Sequence, residues 1–528
     1  MSSKNDYATA LLTDQYELTM AYAYHIGGRH TQPAVFDLFF RKNPFEGEFT
    51  LYAGLAAVIE FLESFSFSQG DVNYICSSIP QCNPAFRKWL RELDCSELTV
   101  YAFQEGDVVF PRLPLMRVEG PLGLCQILES ALLNLTSYPC LVATNAARMK
   151  LALDDNERLI EFGLRRAQGP DGAMSASRYS YLGGADGSSN MLAGKEYDIP
   201  VSGTQAHSFI SSYADPDELR SRSLKMKEGD EADFVEAVLN YRGELNYNDT
   251  NDGELAAFIA YAQAFPDGFL ALVDTYDTLR SGVPNFLCVA SALHDFGYDP
   301  VGIRLDSGDL AYLSRVSREM FADVGRRYNR DFAGFTIVAS NEINEATLRS
   351  LKEQGHEVDV FGVGTHLVTC QRQPSLGCVY KLVQIGEEPR IKISQETSKT
   401  TIPGRKNVYR LIGKQGYPLL DLMTLADEPA PIPGDRILCH HPYEKSVSTY
   451  VTPTKVIPLL HRVWDGKSTG VAAALEVSRE FAVGQLRSIR PDHLRMINPT
   501  PYKVSLSSEL HRTMYRLREE MAPAGEMH

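Results

Sequence analysis

Arg304-Leu305-Asp306-Ser307-Gly308-Asp309 sets a cation and a carboxylate two residues apart at the end of an apolar run. Alternation along a strand puts Arg304 and Asp306 on one side. Such a pair suits a phosphorylated sugar: the guanidinium takes an anion, and the carboxylate takes a ribose hydroxyl or Mg2+. The competing reading is an Arg–Asp ion pair, with Ser307 or Asp309 capping the next helix. His207 follows Gly203-Thr204 in a comparable place. A histidine there serves as general base, metal ligand or phosphoryl acceptor, although a lone histidine is more often structural. Gly362-Val363-Gly364-Thr365 reads either as a phosphate cradle of backbone N–H groups or as a tight strand-to-helix turn. Arg165-Arg166 follows another apolar run. Adjacent arginines point different ways, so one is expected to face an anion site and the other to pack outside; a solvated basic loop is the alternative. Asp274 and Asp277 bind a metal or cap a helix.

These residues share a position: each follows a short apolar run. The runs are 159–162, 199–202, 269–273, 301–305, 335–339 and 358–361, and helical patterns separate them at 284–296, 310–328 and 344–354. Strand, polar loop and helix, repeated six times, predict a parallel α/β unit. A barrel is favoured over an open sheet, with its chemistry at the carboxyl ends of the strands. The flanking regions differ. Residues 11–25 and 54–65 read as helices, 34–40 as a strand, and 98–118 as short antiparallel strands. Residues 121–151 read as a long helical stretch broken near Tyr138-Pro139. Residues 231–265 read as an insertion. Alternation returns at 377–383 and 389–393, and 429–433 reads as a loop.

Composition narrows the class. The chain has 528 residues, 44% hydrophobic and 23% charged, which are globular proportions. Fifty-two basic against 67 acidic residues leave a net charge of −15. An overall basic footprint for nucleic acid or anionic lipid is therefore absent. No 18-residue apolar run predicts a membrane span. Nine cysteines without CxxC or zinc spacing predict reduced thiols in a cytosolic protein. Gly466-Lys467-Ser468 fails as a P-loop because His461 stands where its first glycine belongs. Gly362-Val363-Gly364 lacks the third glycine of a dinucleotide fingerprint.

The motifs together resemble one family. Leu11-Leu-Thr-Asp-Gln-Tyr-Glu-Leu-Thr-Met20, Glu161-Phe-Gly-Leu-Arg-Arg-Ala-Gln-Gly-Pro-Asp-Gly172, Ser202-Gly-Thr-Gln-Ala-His-Ser208 and Gly302-Ile-Arg-Leu-Asp-Ser-Gly-Asp-Leu310 carry the resemblance, with Ser340-Asn341 and Gly362–Thr365. In this combination the chain is similar to the nicotinate phosphoribosyltransferases of pyridine nucleotide salvage, from about residue 8 to about 515. The resemblance implies an α/β fold. An irregular α/β barrel over 151–369 would carry most of the site, and residues 1–150 and 370–528 would form a discontinuous α+β domain.

It also implies an activity: ATP-coupled joining of nicotinate to 5-phosphoribosyl 1-diphosphate, giving nicotinate mononucleotide and diphosphate, in a ligase-type reaction. Mg2+ is the implied metal, with Mn2+ as a substitute, and ATP is a co-substrate. A cytosolic homodimer with shared active sites is implied. Carried residue by residue, Tyr16, Thr204 and Arg304 contact nicotinate. Arg165, Arg166, Ser307, Gly308, Ser340, Asn341, Gly362, Gly364 and Thr365 contact phosphoribosyl diphosphate. Asp306 holds ribose or metal, and His207 is the histidine that ATP phosphorylates. His207, Arg304 and Asp306 form the implied catalytic set.

Four rivals are weighed against this reading. Nicotinamide enzymes fit less well, since the Ser202-Gly-Thr204 loop carries no acid. Quinolinate enzymes are shorter and lack ATP coupling. A Schiff-base aldolase needs a strand lysine, and none of the six runs has one. A non-catalytic binding protein would be expected to have lost some of these polar strand ends.

Overall fold

A computed structural model describes residues 7–521 apart from Pro80, Gln395, Thr397 and Ser398. The chain divides into two compact units. One comprises residues 1–146, 178–184 and 370–528; the other comprises 147–177 and 185–369.

The second unit is built on a parallel sheet. Its strands run in the order Leu270–Leu272, Gly302–Leu305, Thr336–Ser340, Val360–Val363, Arg158–Glu161 and Gly187–Ser188. Every neighbouring pair is parallel, so all the carboxyl ends face one edge. Alternation then sorts the side chains. Ile303, Ile337 and Phe361 are fully buried on one face. The other face carries Ile160, Val338 and Val360, with Phe162 and Leu270 packed against them. Arg304 pairs in register with Val338 and so belongs to the face that ends in Ser340.

Helices Val283–Asp295, Leu310–Tyr328 and Glu345–Gln354 connect these strands, within a residue or two of the ranges their periodicity predicts. Phe286 on the first stacks on Phe269 and meets Phe321 and Phe335 edgewise or tilted. That cluster seals the helical layer to the sheet. The sheet curls toward closure without completing a ladder. Ser188 makes one isolated parallel bridge to Val201, and the Gln205 side-chain amide donates to the Leu270 carbonyl on the opposite edge strand at 2.9 Å. Among the described residues no backbone ladder joins those two edges.

The first unit is antiparallel in character. One six-stranded sheet orders Glu388–Pro389, Val379–Ile385, Pro33–Phe39, Met116–Pro121, Thr99–Ala102 and His461–Asp465. A second centres on Lys406–Ile412 and Pro418–Leu425.

Four expectations need correction. The 199–202 run is not a strand, because Pro200 has no N–H to give a ladder; the two-residue Gly187–Ser188 strand takes the sheet position instead. The helical stretch breaks at Leu128, between Leu122–Ile127 and Glu129–Ala152, and Pro139 lies inside the second helix. Burial of residues 140–149 holds that helix together across the proline. The alternation at 389–393 yields only the short strand Glu388–Pro389. The cysteines are not all reduced: Cys76 and Cys82 form a disulfide. The chain turns back after helix Gln69–Ser78 and brings their Cα atoms to 5.2 Å, within bridging range. The other seven are free thiols. Gly466-Lys467-Ser468 follows the strand His461–Asp465, where Trp464 and Ser468 bridge antiparallel, so it is a turn. Among the described residues no helix is long and apolar enough to cross a membrane.

Candidate active site at the strand ends

Arg304 is the hub. Its Nε donates to Ser340 Oγ at 2.8 Å, one terminal nitrogen to Thr204 Oγ1 at 3.1 Å, and the other to Asp306 Oδ1 at 3.1 Å. Ser340 Oγ in turn donates to the same Asp306 oxygen at 2.5 Å. Three segments far apart in sequence therefore orient one planar guanidinium. Beneath it lies the Phe162 ring, 5.5 Å from the guanidinium carbon, an arrangement that adds cation–π attraction.

His207 joins the same cluster. It begins the one-turn helix His207–Ile210 and is half exposed. Its Nδ1 lies 3.0 Å from Thr275 Oγ1, and its Nε2 lies 3.7 Å from Asp306 Oδ2. Asp306 thus faces Arg304 and Ser340 with one oxygen and the histidine with the other.

Asp274 supports this arrangement from below. Its Oδ2 accepts from the Asp306 backbone N–H at 2.9 Å and from Ser307 Oγ at 2.5 Å. Asp277 instead caps the following turn, accepting from Leu279 and Arg280 N–H. Asp309, not Ser307, caps helix Leu310–Tyr328 by accepting from Tyr312 N–H. The pairing of Ser307 with Asp274, and of Thr275 with His207, carried no signal in the sequence beyond their place after an apolar run.

Gly362 has a different reason to be glycine than the one a cradle suggests. A Cβ there would fall 2.4 Å from two carbons of the Phe162 ring. The residue is buried, and its missing side chain makes room for the ring under Arg304. Gly364 and Thr365 lie further along and are partly exposed, with Thr365 opening the short helix Thr365–Val368. Asn341 and Glu342, just past Ser340, both take positive φ (144° and 45°) and are exposed. Such strain clusters where side chains must be re-aimed.

Arg165 and Arg166 sit on the short turn Leu164–Arg166, and both are exposed. The turn is anchored by Glu161, which is fully buried. Its carboxylate accepts from Gly163 N–H, from Ser177 Oγ at 2.8 Å and from Ser188 Oγ at 2.5 Å. Sequence reasoning placed Glu161 inside a motif without giving it a role.

Tyr16 belongs to the other unit, on helix Gln15–Ile26, with its ring about half exposed. Burial of the hydroxyl, then the nearby Glu129, Glu17 and Asp14 carboxylates, push its pKa up to about 12. It therefore presents a neutral ring.

No group of three or more His, Cys, Asp or Glu side chains is placed to hold a metal among the described residues. A full protein cage for Mg2+ is thus not built here. Asp306, with one oxygen toward the open histidine side, fits the mode in which Mg2+ arrives on phosphate oxygens and takes one or two protein carboxylates.

Comparison with known proteins agrees across the chain. Residues 11–137 match the nicotinate phosphoribosyltransferase N-terminal domain, 158–419 the nicotinate phosphoribosyltransferase family, and 405–514 its C-terminal domain. The chain is 54% identical to the nicotinate phosphoribosyltransferase of Dictyostelium discoideum over 532 residues, covering 99% of this chain and 90% of that protein. It is 44% identical to the Homo sapiens enzyme of the same name, covering 98% of each. The crystal structure of human nicotinic acid phosphoribosyltransferase superposes with a TM-score of 0.86 at 42% identity, covering 96% of this chain and 99% of that one. With the strand-end cluster in place and this identity over nearly the whole length, the chain belongs to the nicotinate phosphoribosyltransferase family.

Proposed function

We propose that the protein synthesises nicotinate mononucleotide and diphosphate from nicotinate and 5-phosphoribosyl 1-diphosphate, with ATP hydrolysis coupled through a phosphohistidine at His207. The observation that carries this reading is the convergence of Arg304, Asp306, Thr204, Ser340 and His207 in one hydrogen-bonded cluster. Arg304 and Thr204 take the nicotinate carboxylate, and Asp306 takes a ribose hydroxyl. The pyridine nitrogen attacks the anomeric carbon as the bond to diphosphate breaks. Held donors and cations stabilise the departing anion without reorganising at the moment of reaction. Arg165, Arg166, Ser307, Gly308, Asn341, Gly364 and Thr365 line the phosphate side in this reading. Gly362 serves it indirectly, through Phe162. Mg2+, or Mn2+ in its place, neutralises phosphate charge when bound, with Asp306 as its protein carboxylate. Tyr16 stacks on the pyridine ring, brought to the site by homodimerisation.

The environment of His207 favours its role as acceptor. A carboxylate facing Nε2 favours the proton on that nitrogen, which leaves the Nδ1 lone pair toward Thr275. Nδ1 then takes the γ-phosphoryl group: the N–P bond forms, the bond to the ADP oxygen breaks, and water later releases phosphate. The added charge reorders the anion site, and its hydrolysis drives product release.

The test is an assay of mononucleotide formation with phosphoribosyl diphosphate, Mg2+, ATP and either nicotinate or nicotinamide. Product from nicotinamide alone overturns the substrate assignment. His207→Ala is expected to retain slow, ATP-independent synthesis and lose ATP stimulation; full stimulation in that variant overturns the phosphoryl-acceptor role.

A further inference from the structure

A second carboxyl lies behind the site, on the opposite flank from Glu161. Glu254 stands in the first turn of helix Asp252–Ala264, where an acid ordinarily faces water and complements the helix dipole. Here it is fully buried. One of its oxygens accepts from Ser281 Oγ at 2.5 Å and from the Asn285 amide at 3.0 Å. Ser281 Oγ also accepts from Asn251 N–H at 2.9 Å, and the Asn285 amide also reaches the Asn251 carbonyl at 3.1 Å. Asn251 itself caps the Glu254 helix by accepting from Glu254 N–H at 2.8 Å. These bonds close a knot between residues 251–254 and the π-helical turn Thr278–Gly282 with the helix that follows it.

The knot bears directly on the strand end. A Cβ on Gly282 would lie 1.8 Å from the Val273 carbonyl oxygen, so the turn rests flush on the residue before Asp274. Asp274 is the carboxylate that accepts from Asp306 N–H and Ser307 Oγ. A continuous set of contacts therefore runs from Glu254 through Ser281 and Gly282 to Val273, Asp274 and the Asp306–Ser307 turn.

We propose that Glu254 is a positioning residue for the reaction, holding the 274–277 loop at the height that lets Asp274 orient the Asp306–Ser307 turn. The inference rests on the function proposed above. Its second support is the other Glu254 oxygen, which is buried without a hydrogen-bond partner. An ionised carboxylate leaves such an oxygen unpaired at a higher cost than the neutral acid does. Burial, partly offset by Ser281 and Asn285 and reinforced by the Asp274 and Asp277 charges, pushes its pKa up to about 7. Asp274 and Asp277 are the acids in front of it. On its own helix Asp252 is engaged by Arg242 at 2.6 Å.

Initial-rate kinetics and thermal denaturation of the enzyme and four variants test this. Glu254→Ala and Ser281→Ala are each expected to raise KM for phosphoribosyl diphosphate about tenfold with a smaller change in kcat, because the turn that meets substrate is misplaced. The double variant is expected to be no worse than Glu254→Ala, since both act through one contact. Glu254→Gln mimics the neutral acid and is expected to stay within about twofold of wild type at pH 6.5. Its KM is expected to be level between pH 6.5 and 8.5, where that of wild type rises. Unchanged KM in both alanine variants, even with a lowered Tm, overturns the proposal. So does a KM for Glu254→Gln that rises with pH as steeply as that of wild type. If Glu254→Ala does not fold, Ser281→Ala and Glu254→Gln decide it. An inactive wild-type enzyme refutes the proposed function itself, whereas active enzyme with unmoved KM in the variants refutes only the role of Glu254.

Discussion

Two Arg–Asp pairs in this protein share their chemistry and differ in their surroundings. In the unit that contains both termini, Arg410 and Asp421 meet through two bonds of 2.9 and 2.8 Å, with side chains 3% and 0% exposed. Their remaining capacity is used: Arg410 donates to the Val108 carbonyl, and Tyr502 donates to Asp421. In the parallel-sheet unit, Arg304 and Asp306 meet through one bond of 3.1 Å, with side chains 15% and 28% exposed. Their other contacts are Ser340, Thr204 and His207, all groups that a substrate can displace or share. A saturated, buried pair specifies a fold. An unsaturated pair at an open strand end keeps lone pairs and donors for a ligand, which is what catalysis by preorganised dipoles requires.

The contrast breaks first under removal of one partner. Asp421→Ala strands the Arg410 charge in the interior and is expected to lower stability by about 3–5 kcal/mol in urea denaturation. The activity of molecules that remain folded should be unchanged. Arg304→Ala is expected to do the opposite. The value of kcat/KM for nicotinate should fall about 10²–10³-fold, in line with loss of one preorganised donor, while the urea midpoint moves far less than for Asp421→Ala. Comparable destabilisation by the two substitutions would erase the distinction. Gly362→Ala probes the layer beneath Arg304. Its new Cβ collides with Phe162, so a loss of about 1–3 kcal/mol in stability is expected together with a raised KM for nicotinate.

The last effect concerns pH and is the smallest per pH unit. Burial pushes the carboxyl of Asp107 up to about 7, although Arg410 and a bond from Gln104 N–H pull it down. Its folded pKa lies above its unfolded value, so the folded state holds the extra proton. The group's contribution to stability is full at low pH and is lost as pH rises toward 7. Asp107→Asn is expected to reduce the slope of stability against pH by about 1 kcal/mol per pH unit between about pH 4 and 7. An unchanged slope in denaturation at several pH values would show that Asp107 is ionised in the fold.

Much of the parallel unit was legible before any coordinates. Helices 310–328 and 344–354 have a 3.6-residue apolar period, and the apolar runs 301–305 and 358–361 fall on the strands Gly302–Leu305 and Val360–Val363, the second of which runs two residues further than its run. The strand Gly187–Ser188 was not legible, because two small residues carry no periodicity. The Pro200 run looked apolar enough for a strand, yet a proline cannot share a ladder. The site was readable in its residue types: Arg304, Asp306, Thr204 and His207 each stood after an apolar run. Their pairings were not. Ser340, Asp274 and Thr275 sit 32 to 68 residues from the groups they bond, and no local pattern encodes such pairings. Glu254 was invisible for the same reason, since an acid in a helix's first turn ordinarily reads as solvated.

The sequence by itself determined the class of fold, the order of strand, loop and helix, and the family, because local backbone preferences and the periods of apolar side chains are written residue by residue. It also determined which residue types could meet an anion. Only the tertiary structure decided which Arg–Asp pair is sealed and which is open, that Gly362 makes room for Phe162, and that Glu254 is buried behind the Asp274 loop. Those outcomes depend on the dielectric and the hydrogen-bond partners around each charge, and both are supplied by neighbours distant in the chain.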